Sequence, residues 1–177
     1  MYTIISGTNR HGSNTLKVAK EYQRFLKLKG IDAKLLSLED LDLLTWGTDF
    51  YKLEEEIIKP TTHFLFITPE YNGSFPGVLK VLFDNSSSHS VWWHKKALLA
   101  GVSTGRAGNL RGMEHLAAIL NYLKITVYPN LLPISVVNRL MDENGIFSDK
   151  ASIEVINKQL DEFIRWGNWQ IAAETIR

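Results

Sequence analysis

Residues 63–77 read HFLFITPEYNGSFPG, an almost wholly apolar run that changes abruptly into turn-forming residues at Pro69. A strand that is covered on both faces of a parallel sheet has this continuous apolar character, so residues 63–68 are predicted to form a central strand. Proline, asparagine and glycine then fix or free the backbone over residues 69–77. The stretch therefore predicts an α/β fold in which a loop follows the carboxyl end of a buried strand.

The rest of the chain alternates short apolar runs with longer segments of helical periodicity, the pattern of βαβ units around a mostly parallel sheet. Strands are expected at residues 2–6, 31–36, 63–68, 97–102 and 125–128. Helices are expected at residues 13–29, at 39–44 and 52–58, after Pro76, at 110–123 and at 150–166. No internal repeat or long linker divides the 177 residues, so one domain spanning 1–177 is predicted.

The composition excludes several classes of function. There are 20 basic and 19 acidic residues, and a net charge of +1 gives no long-range attraction to nucleic acid or anionic lipid. The absence of cysteine excludes disulfides and thiolate nucleophiles, and the five histidines lack metal-ligand spacing, so no metal site is expected. No secretory signal and no apolar run of roughly 20 residues is visible, which predicts a cytoplasmic protein without a membrane segment.

The loop between the first predicted strand and helix, GTNRHGSNT at residues 7–15, has the composition of a phosphate site. Glycines permit a tight turn, hydroxyls and Arg10 are donors, and the helix N-terminus directs free N–H groups toward a ligand. The alternative is that Ser13 or Asn14 merely caps the helix. The loop matches neither a P-loop nor a dinucleotide fingerprint. The order of elements along the chain suggests a mononucleotide as the ligand.

Two further loops follow predicted strands at the edge where open α/β sheets bind ligands. Residues 68–77, TPEYNGSFPG, can present backbone N–H groups to a flat heterocycle, although their composition alone favours a surface turn with an incidental aromatic. Residues 103–112, STGRAGNLRG, again combine glycines with arginine and hydroxyl groups, or form only a flexible connection.

Together these letters resemble the NAD(P)H-dependent FMN reductase family, with its azoreductase and quinone-reductase relatives. The resemblance rests on Gly7-Thr8-x-Arg10-x-x-Ser13 and on Pro69-Glu70-Tyr71-Asn72-Gly73-Ser74-x-Pro76-Gly77-x-Leu79-Lys80. It implies a flavodoxin-like three-layer α/β/α fold with a five-stranded parallel sheet of order 2-1-3-4-5. It also implies noncovalent FMN and a homodimer or homotetramer. The chain departs from the family at residues 79–84, which read LKVLFD where members often have LKNAID.

The resemblance also implies which residues bind FMN. Those expected at the phosphate are Thr8, Arg10, Ser13, Asn14 and Thr15. Those expected along the isoalloxazine and ribityl chain are Pro69, Glu70, Tyr71 and Asn72, with loop N–H groups, including that of Gly73, near the polar edge of the flavin. The third loop adds Ser103, Gly105 and Arg106.

The activity that the resemblance implies is transfer of hydride from NADPH or NADH, through FMN, to a flavin, quinone or azo compound. Flavin chemistry requires no catalytic side chain, which agrees with the lack of an acid–base constellation in the sequence. One alternative is an electron-carrier flavodoxin, although such carriers are usually strongly acidic. Another is a non-catalytic nucleotide-binding module on the same fold.

An aromatic and aliphatic set of residues suits the core of a subunit interface. Its members are Val81, Leu82, Phe83, Trp92 and Trp93. The tryptophan pair is also interpretable as a cover for the flavin or as a contact within the core.

Overall fold

The computed structural model describes residues 1–39, 41–44 and 47–174 and shows a parallel sheet between two layers of helices. The strands are β1 (Tyr2–Ser6), β2 (Ala33–Ser37), β3 (His63–Pro69), β4 (Lys96–Val102), β5 (Thr126–Val127) and β6 (Leu132–Ile134). The helices are α1 (Asn14–Leu28), α2 (Thr48–Leu53), α3 (Gly77–Asp84), α4 (Leu110–Tyr122) and α5 (Lys150–Glu174). The order β2-β1-β3-β4-β5 confirms the predicted flavodoxin-like topology.

The fifth position of the sheet differs from the prediction, because two short strands occupy it in succession. β5 pairs with Lys96 and Ala97 of β4, and β6 pairs with residues 100–102. Between them the chain turns at Pro129, which has no N–H to donate to a ladder. The side chain of Gln159 from α5 spans the gap, donating to Leu99 O at 3.2 Å and to Asn130 O at 2.8 Å. Within the described residues, the sheet therefore has six strands in five positions.

The sheet is apolar on both faces, as the sequence of β3 predicts. Phe64 and Phe66 face the layer of α2, α3 and α4, whereas Leu65 and Ile67 face the layer of α1 and α5. All four side chains are fully buried. β3 is thus a central strand, and its carboxyl end is held at a fixed position by packing on both sides.

Two predicted helices are altered between β2 and β3. Residues 41–44 are not helical, since Asp42 accepts a hydrogen bond from Leu44 N at 3.0 Å and so favours a turn, while Asp40 lies outside the described residues. The other helix starts earlier than expected, at Thr48, and continues beyond α2 as a π-helix over Glu54–Ile58. Lys95 donates to the carbonyls of Ile58 and Lys59 and so caps this segment.

The residues predicted to form an interface are mostly part of the protein core. Leu82, Phe83 and Trp92 are buried within the chain, and Trp92 Nε1 donates to Ser86 Oγ at 2.8 Å. Trp93 is exposed, with the Lys124 ammonium 3.6 Å from its ring centroid. The interface assignment of the buried residues is therefore wrong, because α3 and the segment before β4 use these side chains to cover the sheet.

The amino edge of the sheet is built from aromatic rings. The ring of His63 stacks on that of Tyr2 at 4.5 Å between centroids, and Phe163 of α5 packs edge-on against both. Burial, followed by the nearby charges of Lys96 and the N-terminal ammonium, lowers the pKa of His63 to about 4. None of the helices in the described part of the chain is both long and apolar enough to cross a bilayer.

Candidate functional site

A cleft of about 560 Å³ lies at the carboxyl edge of the sheet, beyond β1, β3 and β4. The three loops singled out by the sequence provide most of its lining. Its lining residues are Arg10, His11, Gly12, Ser13, Asn14, Thr15, Pro69, Glu70, Tyr71, Asn72, Val102, Ser103, Thr104 and Val137. The volume is within the range of sites that bind a cofactor-sized ligand.

The first wall of the cleft is the N-terminus of α1. Ser13 caps the helix, since its hydroxyl accepts a hydrogen bond from Leu16 N at 3.1 Å. The capping alternative is therefore correct for Ser13, and the same residue also lines the cleft. The N–H groups of Asn14 and Thr15 belong to the first turn, which has no carbonyl partners within the helix. This wall consequently offers hydrogen-bond donors and the positive end of a helix dipole to an anion.

Three residues connect the first wall to the second loop. Thr8 is fully buried, and its hydroxyl lies 2.6 Å from the hydroxyl of Tyr71 and accepts a hydrogen bond from Arg10 N at 3.3 Å. The Arg10 guanidinium lies over the Tyr71 ring, 4.0 Å from its centroid. Thr8 therefore does not line the cleft and instead contacts the Tyr71 hydroxyl. Arg10 lines the cleft, and its guanidinium is stabilised by a cation–π contact with the Tyr71 ring.

The second loop folds as a two-residue turn. Tyr71 and Ser74 exchange backbone hydrogen bonds of 2.8 and 3.2 Å, and the two residues between them, Asn72 and Gly73, both have positive φ. This pattern is the one that Asn-Gly favours in tight hairpin turns. The turn places Pro69, Glu70, Tyr71 and Asn72 on the cleft, while Gly73 lies outside its lining.

The third loop contributes less of the cleft than was predicted. Ser103 lines it, but its hydroxyl donates to Gly105 O at 2.8 Å and accepts from Gly108 N at 3.0 Å. Gly105 and Arg106 are exposed and outside the lining, because the loop is tied back by Val136 N, which donates to Gly105 O at 2.9 Å. Of the third-loop residues predicted to bind FMN, only Ser103 is therefore on the wall.

The structure adds residues that the sequence did not indicate. Those on the lining are His11, Gly12, Val102, Thr104 and Val137. Val137 follows β6 and reaches the cleft through a left-handed residue, Val136, with φ of +45°. No local pattern signals this approach. His11 and Gly12 stand inside the phosphate-type loop, so the composition of that loop was a signal that could have included them.

Asn109 is a further functional candidate, although it does not line the cleft. The side chain is fully buried and donates from Nδ2 to Thr68 O at 2.7 Å and to Thr68 Oγ1 at 2.9 Å. Its backbone is left-handed, with φ of +65°, immediately before α4. Asn109 therefore fastens the start of α4 to the end of β3, directly beneath the second loop.

The chemistry of the cleft suits FMN. Arg10 and the first turn of α1 provide cationic and N–H donors for a phosphate at one wall, whereas Glu70 brings a carboxylate to another. Residues 10–15 therefore form the wall with the cationic and N–H donors. Gly7, just after β1, packs closely against β3 and α3, since a Cβ there would lie 3.2 Å from side-chain atoms of Leu79 and Thr68.

The family model described as NADPH-dependent FMN reductase matches residues 2–138. The chain belongs to this family. FMN and NAD(P)H are accordingly its cofactors, and the chain is a flavin-dependent NAD(P)H oxidoreductase. The match includes all three loops of the cleft and ends just beyond Val137, so it covers every segment that lines the cavity in this reductase.

Individual relatives agree with this family assignment. The reductase is 31% identical over 175 residues to an NAD(P)H-dependent FMN reductase of Pseudomonas aeruginosa, with 92% of each chain covered. It is 32% identical over 107 residues to a 2-hydroxy-1,4-benzoquinone reductase of a Burkholderia species, with 58% of each covered. The solved structure of the flavoenzyme FerB, an NAD(P)H:acceptor oxidoreductase of Paracoccus denitrificans, gives a TM-score of 0.77 at 21% identity. The match covers 94% of this chain and 96% of the FerB chain, which supports the fold.

Proposed function

We propose that the reductase binds FMN in the cleft beyond β1, β3 and β4 and reduces a small quinone with electrons from NADPH or NADH. The observation that carries the proposal is the position of the cleft, which combines an anion-binding helix N-terminus with a tight turn at the end of a central strand. The quinone assignment is supported by relatives that are named quinone reductases. Free flavins and azo compounds are secondary candidates for the acceptor.

The first wall would bind the phosphate of FMN. Arg10 contributes a charged fork, and the stacking of its guanidinium on Tyr71 leaves the in-plane N–H groups available to phosphate oxygens. Asn14 and Thr15 contribute backbone N–H groups from the first turn of α1. Thr8 acts indirectly, because its hydroxyl holds the Tyr71 ring on which Arg10 rests.

The second and third loops would hold the flavin ring. Residues 69–72 offer backbone groups along one side, at a turn whose geometry is fixed by the Tyr71–Ser74 hydrogen bonds. Val102 and Val137 lie in the lining but are buried beneath it, and Ser103 has its hydroxyl engaged within the loop. Bound FMN supplies the hydride-transfer chemistry, so these residues need only bind and orient it.

The proposal assigns no acid–base side chain, and it favours an enzyme over the two alternatives. An electron carrier with the usual acidic surface does not fit a chain with 20 basic and 19 acidic residues. Observed turnover would exclude a non-catalytic module, which makes the decisive experiment simple. Purified protein titrated with FMN is expected to retain flavin on gel filtration and to oxidise NADPH or NADH when benzoquinone is supplied.

The kinetic order gives a second readout of the same experiment. Because one open cleft would serve donor and acceptor in succession, initial rates over a grid of both substrates are expected to give parallel double-reciprocal lines. Intersecting lines would indicate a ternary complex and a different acceptor site. Retention of FMN without nicotinamide oxidation would support the electron-carrier alternative instead.

We also infer that the protein assembles as a homodimer or homotetramer, in line with the family resemblance. The interface cannot use Leu82, Phe83 or Trp92, since these side chains are buried within the chain. Exposed Leu110 and Trp93 are apolar side chains available for contact. Light scattering over a range of concentrations tests this, and a constant mass of 20.2 kDa would contradict it.

A further inference from the structure

A second cavity of about 440 Å³ adjoins the cleft along the outer face of α1. We call it the basic groove, and its lining is Gly12, Ser13, Leu16, Lys17, Lys20, Glu21, Arg24, Asn144, Gly145 and Ile146. Gly12 and Ser13 line both cavities, so the groove opens beside the phosphate wall of the cleft. The proposed function gives the groove no role.

The wall of the groove opposite α1 is a rigid turn. Asp142 Oδ1 accepts hydrogen bonds of 2.9 Å from Asn144 N and Ile146 N, and its carbonyl accepts one of 3.0 Å from Gly145 N. Glu21 anchors this turn to α1, because its buried carboxylate accepts a hydrogen bond of 3.1 Å from Phe147 N. The two walls are therefore held together in the free protein.

The charges of the groove are not balanced. Arg24 donates two hydrogen bonds to Glu21, at 2.8 and 2.9 Å, which neutralises that pair. In the part of the chain that the structure describes, Lys17 and Lys20 have no carboxylate within 4.0 Å. The two lysines are three residues apart and so lie on one face of α1. The groove thus carries two free positive charges.

The stem of Lys17 packs against the turn, since a Cβ on Gly145 would lie 2.9 Å from Lys17 Cδ. Gly145 has a φ of +80°, a backbone conformation that favours glycine. Beside the lysines, Leu16 and the 47% exposed side chain of Ile146 provide apolar surface. A site with two ammonium groups next to apolar side chains fits a phosphorylated nucleoside.

We propose that the basic groove binds the adenosine 2′-phosphate end of NADPH, with Lys17 and Lys20 as the residues that favour NADPH over NADH. The groove lies next to the cleft, so the nicotinamide of the same dinucleotide reaches the flavin while its phosphorylated adenosine contacts α1. The inference rests on the proposed function, because it assumes that a nicotinamide nucleotide enters the cleft.

The test uses the FMN-loaded protein and two soluble probes, adenosine 2′,5′-bisphosphate and 5′-AMP, with affinities measured by calorimetry. Wild-type protein is expected to bind the bisphosphate about tenfold more tightly or better, since charge-assisted hydrogen bonds to a second phosphate are made only by that probe. Lys17→Met together with Lys20→Met keeps the apolar stems and is expected to remove this difference. Equal affinity of wild-type protein for both probes would overturn the proposal.

Steady-state kinetics give the second arm. The double variant is expected to lose about tenfold in kcat/KM for NADPH while kcat/KM for NADH stays within about twofold. Lys27→Met with Lys158→Met is the matched control, because it removes the same charge from exposed helical positions outside the groove. Equal losses for both nucleotides, or the same loss in the control, would overturn the groove assignment. Failure of the wild-type protein to oxidise either nucleotide would refute the proposed function, and the calorimetric arm would still test the groove.

Discussion

The two edges of the sheet use polar residues in opposite ways. At the amino edge, Lys95 and His63 are buried against aromatic rings, and burial lowers the pKa of Lys95 to about 8 and that of His63 to about 4. At the carboxyl edge, Thr8, Tyr71 and Asn109 form hydrogen bonds that connect one loop to the next. The polar groups of the amino edge are thus buried in the core, whereas those of the carboxyl edge hold the loops that form the cleft.

This difference cautions against locating the site by shifted pKa values. A strongly shifted pKa is often a sign of a catalytic group, but at the amino edge burial is the main cause, and for His63 the nearby positive charges add to it. A flavin enzyme gains its reactivity from the cofactor, so its binding residues need geometry rather than an unusual pKa. We therefore expect substitutions at the amino edge to change stability, and substitutions at the carboxyl edge to change FMN binding.

The largest change is expected in the free energy of unfolding of Asn109→Ala. This variant is an exception to the comparison, because Asn109 lies at the carboxyl edge and yet stabilises the fold. The variant loses two buried hydrogen bonds to Thr68 and places alanine in a left-handed conformation. Urea denaturation should show a loss of about 3 kcal/mol in the free energy of unfolding. Asn109→Gly relieves the backbone strain but does not restore the hydrogen bonds, so its free energy of unfolding should be about 1 kcal/mol higher than that of Asn109→Ala. Unchanged stability of both variants would show that Asn109 is not a fastener.

Arg10→Ala is expected to affect binding and not stability. Loss of its charge-assisted hydrogen bond should weaken FMN binding by about 2 kcal/mol, or roughly 30-fold, while the α1 N-terminus maintains residual affinity. Riboflavin lacks the phosphate, and its affinity should hardly change. Arg165→Ala, on α5 and away from the cleft, is the matched control. Equal losses for FMN and riboflavin in fluorescence titrations would mean that Arg10 acts through its stacking on Tyr71 instead.

His63 should make stability depend on pH. Its pKa is about 4 in the folded protein and 6.5 in the unfolded chain, so the unfolded state binds more protons between these values. Stability is then complete above pH 6.5 and falls as the pH decreases to 4, by about 1.5 kcal/mol after allowance for solvent screening. His63→Phe keeps the stack on Tyr2 and should flatten this part of the curve. Denaturation curves that stay parallel for the two proteins, or an NMR titration of His63 near pH 6.5, would contradict the assignment.

The smallest effect is expected from Tyr71→Phe, which keeps the ring under Arg10 and removes only the hydroxyl contact with Thr8. FMN binding should weaken by about 1 kcal/mol, or roughly fivefold. Thr8→Val should have a similar effect, and the double variant should lose little more than either one, because both substitutions break the same bond. Fully additive losses would show that the two hydroxyls contribute separately.

The sequence could predict the central strand and the order of elements because those features have local causes. The apolar run of β3 requires cover on both faces, and Pro69 stops it at the residue where the structure ends the strand. The residues of the first loop likewise carry their own signals, since Ser13 is an ordinary cap and glycine permits the turn at Gly12.

Features with nonlocal causes could not be predicted in this way. β6 has three residues and contains Pro133, so neither length nor propensity marks it as a strand, and only its position beside β4 makes it one. Trp92 resembles interface material in the sequence, and its burial depends on Phe64 and Phe83 from other elements. Val137 reaches the cleft because the segment after β6 bends back toward the third loop.

Because Gln159 lies in α5, the outer edge of β4 is fully paired only after α5 has been synthesised. The Gln159 amide completes the interrupted fifth position, and its Oε1 accepts a hydrogen bond of 2.9 Å from Tyr22 of α1. A ribosome delivers α5 only after β5 and β6 have emerged, so the outer edge of β4 remains incompletely paired during that interval. Purified chains that end before residue 159 should therefore be cleaved by protease near residues 128–131, whereas the full chain should resist cleavage there.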